Sequence, residues 1–392
     1  MQLLSVGWRF ILSVLAALAL LGLDVWQRAS APGTAVATWP LYQPVQLQAL
    51  GASSTARGLI PMPEGARAAH ASSLLPMPAG HPAALTLFWF SGERESGPLV
   101  QIVASQWLRS TGQWTLPRAV VNRHHVAAQL GYGVRRLGNP VAWLDGQGRV
   151  HLFVVATGWG GWAAARILHL RQSSIGNRLD ELAFEPVQVL PLSWLWNTSY
   201  LVRNAPLPLA DGGMVLPVHF ELGIKYPAAL RFDRNGVFRG MVRISSRSYL
   251  LQPSLLPLDT DVWLALMRNE QHGGKIGVAQ TTDGGLHWDD LPDLALDNPD
   301  SAVATLALAP GQLLLAHNSS VGSRGTLDVS QSNDGRNWTL LNRLEHGTAD
   351  DEFSYPALTW TDDQLWLSYT VDRKYLAWQG FTVPAPIQER AP

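Results

Sequence analysis

Apolar and polar positions fall into two regimes along this chain. Near the N-terminus, Arg9 precedes a mostly apolar run from Phe10 to Leu23, which Asp24 ends. That run is short for a spanning helix and has the length of a signal-peptide core. Counted from Leu3 to Trp26, with Arg9 inside, the same stretch suits an uncleaved signal-anchor. Residues 1–31 are therefore expected to be a targeting segment, as a signal peptide or as an anchor. The rest of the chain is then expected to be periplasmic or extracellular, with membrane contact through the N-terminal segment only. Residues 32–66 are rich in Ala, Pro and Gly and read as a linker, with one strand expected in 42–50.

From about residue 67 the pattern changes to short alternating runs set off by turn signals. The signals are Pro78-Ala79-Gly80, Asp145-Gly146, Asp211-Gly212-Gly213, Asp259-Thr260-Asp261, Pro310-Gly311 and Asp362-Asp363. Each leads into a strand-like run, at 85–89, 150–155, 214–218, 262–267, 313–316 and 365–369. The spacing is near fifty residues for the last four units and longer for the first two, where 122–137 and 157–165 read as insertions. Units of that size cannot bury their faces alone, so a recurring period implies a propeller. A two-layer sandwich would not keep such a period. The expected fold is all-β, a six-bladed propeller over 67–384 with a short tail at 385–392.

A local motif supports the period. Thr281-Thr282-Asp283-Gly284-Gly285-Leu286-His287-Trp288 reads [S/T]-x-D-x-G-x-x-W, and a shortened form recurs at Ser332-Asn333-Asp334-Gly335-Arg336-Asn337-Trp338. The Asp can bond nearby backbone N–H groups, a Gly supplies positive φ, and the Trp folds back as an apolar plug. Degenerate forms fall in phase, from Ser105 to Trp114, Ser173 to Phe184, and Asp233 to Phe238. This motif is the Asp-box, and the chain resembles the sialidase (BNR-repeat) superfamily over roughly residues 67–380. In that family the boxes sit at the propeller rim, so the box residues are expected to be structural.

The resemblance implies a site at the propeller axis. Sialidases of this fold hold a substrate carboxylate with three Arg, and use a Tyr nucleophile activated by a Glu together with an Asp acid/base. A neutral nucleophile avoids repelling the substrate carboxylate, and bidentate Arg pairing orients it. By position, Arg268 resembles the second clamp Arg, Arg324 the third, and Tyr355 the nucleophile. Three places depart from the family. His70 stands where the first clamp Arg would be. The acid/base segment 91–96 has no Asp, leaving Glu95, with Glu93 next. Gln252 stands at the position of the Glu that serves the Tyr, and Glu221 or Glu352 would have to substitute. Asn139 and His219 precede or end strands as inner-strand residues do, and are expected to line the pocket. Residues 298–301 are expected to form a loop over the axis.

Composition narrows the partners. A formal net charge of −1 argues against nucleic acid, and the absence of Cys removes disulfides and thiolate chemistry. His124-His125 lacks a third ligand at metal spacing, so neither metal nor cofactor is expected. Apolar residues make up 47% of the chain, enough for a large core, and its 17 Trp exceed what repeat plugs need. A sugar-stacking cleft would use the surplus, and the Gly158–Trp162 stretch is a candidate platform. The resemblance implies a sialidase-like exo-glycosidase that acts on an anionic, carboxylated sugar with retention. Two rivals remain open: a non-catalytic carbohydrate-binding propeller, which Gln252 and His70 favour, and a uronate-active polysaccharide lyase, which His70 beside Tyr355 would suit.

Overall fold

Every one of the six turn signals closes the hairpin between the first and second strands of a sheet. The structure, a computed structural model, describes residues 6–29 and 56–382 apart from 96, 98, 132 and 177. Helix α1 (Val6–Ala29) precedes strand β1 (Ala56–Leu59), which is set aside for the last sheet. Blade 1 takes β2 (Ala68–Pro76), β3 (Ala83–Gly92), β4 (Gln101–Leu108), β5 (Gln113–Trp114) and β6 (Arg118–Val121). Blade 2 takes β7 (Arg136–Leu144), β8 (Val150–Thr157), β9 (Ala165–Gln172) and β10 (Phe184–Val189). Blade 3 has a split inner strand, β11 (Tyr200–Val202) and β12 (Leu207–Pro208), then β13 (Met214–Phe220), β14 (Tyr226–Phe232) and β15 (Phe238–Arg243). Blade 4 takes β16 (Leu250–Pro257), β17 (Trp263–Asn269), β18 (Gly277–Thr281) and β19 (Asp289–Leu291). Blade 5 takes β20 (Ala304–Ala309), β21 (Gln312–Asn318), β22 (Thr326–Ser332) and β23 (Thr339–His346). Blade 6 takes β24 (Phe353–Thr361), β25 (Gln364–Val371), β26 (Tyr375–Thr382) and, on its outer edge, β1. The expected apolar runs all fall in the second strands of the six blades, with only Val262 outside, one residue before β17.

The ring closes by an antiparallel pairing that joins the two ends of the propeller, with Ala56 opposite Gly380 and Leu59 opposite Ala377. The propeller therefore starts at residue 56, not 67. The end of the expected linker is thus a strand, which supplies the fourth strand of blade 6. The strand expected in 42–50 lies outside the described residues, as does the tail.

Each pair of adjacent blades shares one apolar seam, and six such clusters make the core. The seam between blades 6 and 1 is aromatic. Trp107 lies 4.8 Å from Trp378 and 5.1 Å from Trp366, with Trp114 alongside. Part of the Trp surplus thus serves closure rather than sugar stacking. The insertion at 122–137 holds a short helix, α2 (Arg123–Leu130), capped by Asn122, whose side chain accepts from His124 N.

The Asp-box turns join third and fourth strands at the end of the blades away from the site. Asp283 Oδ1 accepts from Leu286 N and His287 N at 3.0 Å each, and Thr281 Oγ1 accepts from Gly285 N at 2.9 Å. Asp334 and Ser332 repeat the arrangement with Arg336 N, Asn337 N and Gly335 N. Trp288 packs 6.5 Å from the buried Trp263, and Trp338 packs into the next seam. The degenerate box at Asp233 is the equivalent turn of blade 3, accepting from Asn235 N and Val237 N.

Candidate functional site at the propeller axis

Four inner strands carry the same defect at the same height. In β2, β7, β16 and β24 the pairing with the second strand skips so that two residues face one. The first residue of each bulge has positive φ: Ala71 (56°), Asn139 (39°), Gln252 (48°) and Tyr355 (55°). In the last three the next residue is Pro. Left-handed backbone at non-Gly residues costs on the order of 1–3 kcal/mol each and persists only where surroundings hold it. A bulge also re-aims its side chain. The sequence X-Pro at the start of an inner strand is the local signature, since Pro supplies no ladder donor there.

Tyr355 is the focus. Gln252 Nε2 donates to its Oη at 3.2 Å, and Gln252 Oε1 accepts from Arg268 Nη1 at 3.2 Å. Arg only donates, so it fixes the amide with nitrogen toward Tyr355. The His70 ring packs 4.2 Å from the Tyr355 ring, and its Nδ1 meets Thr370 Oγ1 at 3.1 Å. The Arg203 guanidinium lies 4.8 Å from the Tyr355 ring centroid on another side. Arg203 reaches across the axis from blade 3, donating to Ser72 O and Pro356 O in the bulges of blades 1 and 6. Burial lowers Arg203 to about 10, against the opposing pull of Tyr355. Burial, with the charge of Arg373, lowers His70 to about 3, so it is neutral at ordinary pH.

Three more guanidiniums surround this centre. Arg268, at the end of β17, binds Asp300 Oδ1 at 2.6 Å. Arg324, just before β22, binds Glu352 at 3.0 Å and also donates to Asp300 O. Arg373, in the turn after β25, binds Glu352 at 2.8 Å and Glu95 at 2.9 Å. Burial pushes Glu352 up, but its bonds from Arg373 and Ser354 and the charge of Arg324 outweigh it and hold it at about 2. Burial lowers Arg268, and the charges of Tyr355, Asp300 and Glu221 more than reverse this, keeping it firmly protonated. Glu221 pairs with the buried His219 at 3.1 Å. Burial raises Glu221, but His219, Arg268 and Lys225 hold it at about 2.

Arg268, Gln252, Tyr355 and His70 are thus brought into direct contact, with Arg324, Glu352, Arg373 and Glu95 joined to each other around them. Asn139 lies buried at the bulge of β7, and His219 with Glu221 lies on the blade 3 side. Of residues 298–301, Asp300 meets Arg268 and Arg324, while Asn298 and Ser301 bond to Asn269 and Asn318 of blades 4 and 5. Two expectations change. Neither Glu221 nor Glu352 is hydrogen-bonded to Tyr355 Oη; Gln252 is, because the bulge of blade 4 aims it there. His70 supplies no clamp charge, because burial keeps it neutral. The directly bonded acidic partners of Arg268 and Arg324 are Asp300 and Glu352, and Glu221 acts on Arg268 through its charge. Two residues escape the sequence reading. Arg373 follows β25 in a positive-φ turn, with only the pair Asp372-Arg373 as a signal. Arg203 occupies the inner-strand phase of blade 3, where no X-Pro marks it.

The arrangement has matched charges: Arg203, Arg268, Arg324 and Arg373 against Asp300, Glu352, Glu95 and Glu221. An incoming anion must compete with an internal carboxylate, and Asp300, 45% exposed, is the most accessible of the four.

Comparison with known proteins agrees with this architecture. A Hadza microbial sialidase superposes with a TM-score of 0.62 at 16% identity, covering 80% of this chain and 66% of that one. The Trypanosoma rangeli sialidase in complex with sialic acid gives 0.62 at 12% identity, covering 91% of this chain and 60% of that one. A protein of unknown function from Dyadobacter fermentans gives 0.63 at 12% identity, covering 84% of this chain and 99% of that one. At these identities the likeness shows the fold. Among curated proteins, none matches this chain. The family described as BNR repeat-like domain matches residues 83–382, from β3 to β26, and the chain belongs to that family as a sialidase-like member of the BNR superfamily.

Proposed function

We propose that the axial site binds a carboxylated sugar and processes it as a sialidase-like exo-glycosidase, with Tyr355 as the nucleophile of a retaining reaction. The observation that supports this most is that three blades bring Arg268, Arg324 and Arg373 to one end of the axis, Arg268 bonded to the Gln252 amide that meets Tyr355 Oη and the other two sharing Glu352. Guanidiniums at this spacing suit a planar carboxylate. The substrate carboxylate would take Arg268 or Arg373 from its present partner. Releasing Arg373 frees Glu95, which would take up a proton from solvent, pass it to the leaving oxygen and end as a carboxylate.

Among the described residues no carboxylate is hydrogen-bonded to Tyr355 Oη. Its proton would leave to water, and negative charge on Oη would be stabilised by Gln252 Nε2 and by Arg203 over the ring. The covalent glycosyl–Tyr355 intermediate would then be opened by water with Glu95 as base.

A second reading is favoured by one observation: Gln252, fixed by Arg268 as a donor toward Tyr355, cannot accept the phenolic proton. In that reading the propeller binds its sugar without cleaving it. The lyase alternative uses neutral His70 beside Tyr355 as a base. Hydrolysis of a fluorogenic sialoside and cleavage of a 4-linked oligouronide by the full chain, with calorimetric titration of sialic acid and glucuronic acid, separates these. Turnover lost in Tyr355→Phe with binding kept supports the glycosidase. Binding without turnover selects the second reading, and an unsaturated uronide product selects the lyase. No binding of either acid removes the proposal.

A further inference from the structure

The loop between β10 and β11 exposes three large apolar side chains in a row: Trp194 at 49%, Leu195 at 39% and Trp196 at 50%. Water is a poor solvent for such a tip. Hydrogen bonds fix its shape. Asn197 Nδ2 donates to Leu190 O at 2.8 Å, Asn197 Oδ1 accepts from Leu192 N at 3.0 Å, and Trp196 N donates to Ser193 Oγ at 2.8 Å.

The same loop is tied to α1. Ser193 Oγ donates to Asp24 Oδ1 at 2.6 Å, and α1 packs beside β15 of blade 3. Residues Gly7–Asp24 are apolar enough to cross a membrane, and only 6% of that stretch is buried against the protein. Trp8 and Trp26 stand exposed at its two ends. They are 18 residues apart, about 27 Å along a helix, close to the ~30 Å hydrocarbon layer. Trp at both ends of a span matches the aromatic belts at bilayer interfaces. Asp24 marks the end of the span, so the Ser193 bond holds Trp194, Leu195 and Trp196 at the level of Trp26.

Neighbouring loops extend the patch. Ser199 Oγ donates to Ala163 O, which joins the β8–β9 loop carrying the exposed Trp159. Tyr200 and Tyr226 hydroxyls meet at 3.1 Å, which joins the β13–β14 loop carrying the exposed Ile224. These loops leave the ends of second strands or enter inner strands. That is the end of the blades where Arg268 and Tyr355 lie.

We propose that the loops of blades 2 and 3 around Trp194, Leu195 and Trp196, with Trp159 and Ile224, form a second membrane contact. They would seat the site-bearing end of the propeller against the headgroup layer of the bilayer that α1 crosses. Membrane contact would then involve the propeller as well as the N-terminal segment. This is independent of which ligand the axial site takes.

The chain contains no Cys, so Leu195→Cys in the full chain accepts one nitroxide label. Val237→Cys, at the β14–β15 turn on the opposite end of blade 3, is the reference, and Ile224→Cys is a second probe of the patch. The labelled chains are placed in phosphatidylcholine–phosphatidylglycerol vesicles. Collision rates are measured with oxygen, which concentrates in lipid, and with a water-soluble nickel chelate. A several-fold higher oxygen-to-nickel ratio at residues 195 and 224 than at 237 is expected. Equal ratios at all three would overturn the proposal. Labels at 195 and 224 shielded from both probes would also overturn it, by showing a protein partner or second copy over the patch.

Discussion

The Asp-box turns and the inner-strand bulges both use polar side chains to stabilise unusual backbone, yet they do so at different ranges. In the box, Asp283 and Thr281 satisfy N–H groups within five residues of each other. The positive φ falls on Gly284 and Gly285, where it costs little. In the bulges, positive φ falls on Ala71, Asn139, Gln252 and Tyr355. The contacts that hold Gln252 and Tyr355 come from other strands and blades: Arg268, Arg203 and His70. A turn that satisfies itself is a structural staple. Strain held by distant partners concentrates where side chains must be aimed at one point.

The largest effect that separates the two regions should come from the site. Arg268→Ala should weaken binding of a carboxylated sugar by about 2–5 kcal/mol, the cost of losing one partner of a desolvated charge pair. Titration calorimetry checks this, and Arg324→Ala should behave alike. Unchanged affinity in both variants would leave the fold standing and remove the carboxylate-binding reading.

Buried imidazoles near the site and in the seams make stability depend on pH. Burial lowers His70 and His169 to about 3 and His317 to about 4. Their folded values lie below the unfolded value of about 6.5. The unfolded chain therefore takes up protons first as pH falls. Stability should be fullest above about pH 6.5 and drop below it by up to about 1.4 kcal/mol per pH unit for each His, levelling off below the folded values. Glu352 and Glu221, both held at about 2, should add a further loss as pH falls below 4.5. Melting temperature measured from pH 8 to 3 tests the sign; a curve that rises on acidification would contradict it.

Asp283→Ala should cost about 1–2 kcal/mol of stability by leaving turn N–H groups to water, with sugar affinity unchanged. Loss of binding without a change in the denaturation curve would refute the purely structural role of the box. The smallest effect is expected at a bulge. Ala71→Gly removes Cβ at φ 56°. It should relieve backbone strain and leave stability the same or higher by about 1 kcal/mol, whereas Ala→Gly within a regular strand destabilises. Chemical denaturation distinguishes the two signs.

Much of the architecture was legible in the sequence. All six second strands, the box turns and the phase of the inner strands follow from apolar alternation and turn chemistry, both properties of a few adjacent residues. The X-Pro pairs at Asn139, Gln252 and Tyr355 lie at three of the bulges, a local signal that the sequence reading did not turn into bulges. The partners of Tyr355 were less legible. Gln252 reads as a missing base, but its role as a donor follows from Arg268 arriving across the hairpin. Arg373 and Arg203 carry no local pattern, since a single Arg in a turn or an inner strand looks like any other. His70 reads as a substituted clamp residue, while its neutrality follows from burial against Tyr355 and Phe90.

By itself, the sequence determined the blade count, the second strands and the rim turns, because each depends on hydrogen bonds and apolar faces within about fifty residues. Only the tertiary structure decided how the ring closes and what the axis contains. Strand β1 pairs with β26 across more than three hundred residues. The guanidiniums and carboxylates of the site come from every blade except the second. Charge pairing and burial at the axis are sums over those blades, and no one segment contains enough of the terms to fix them.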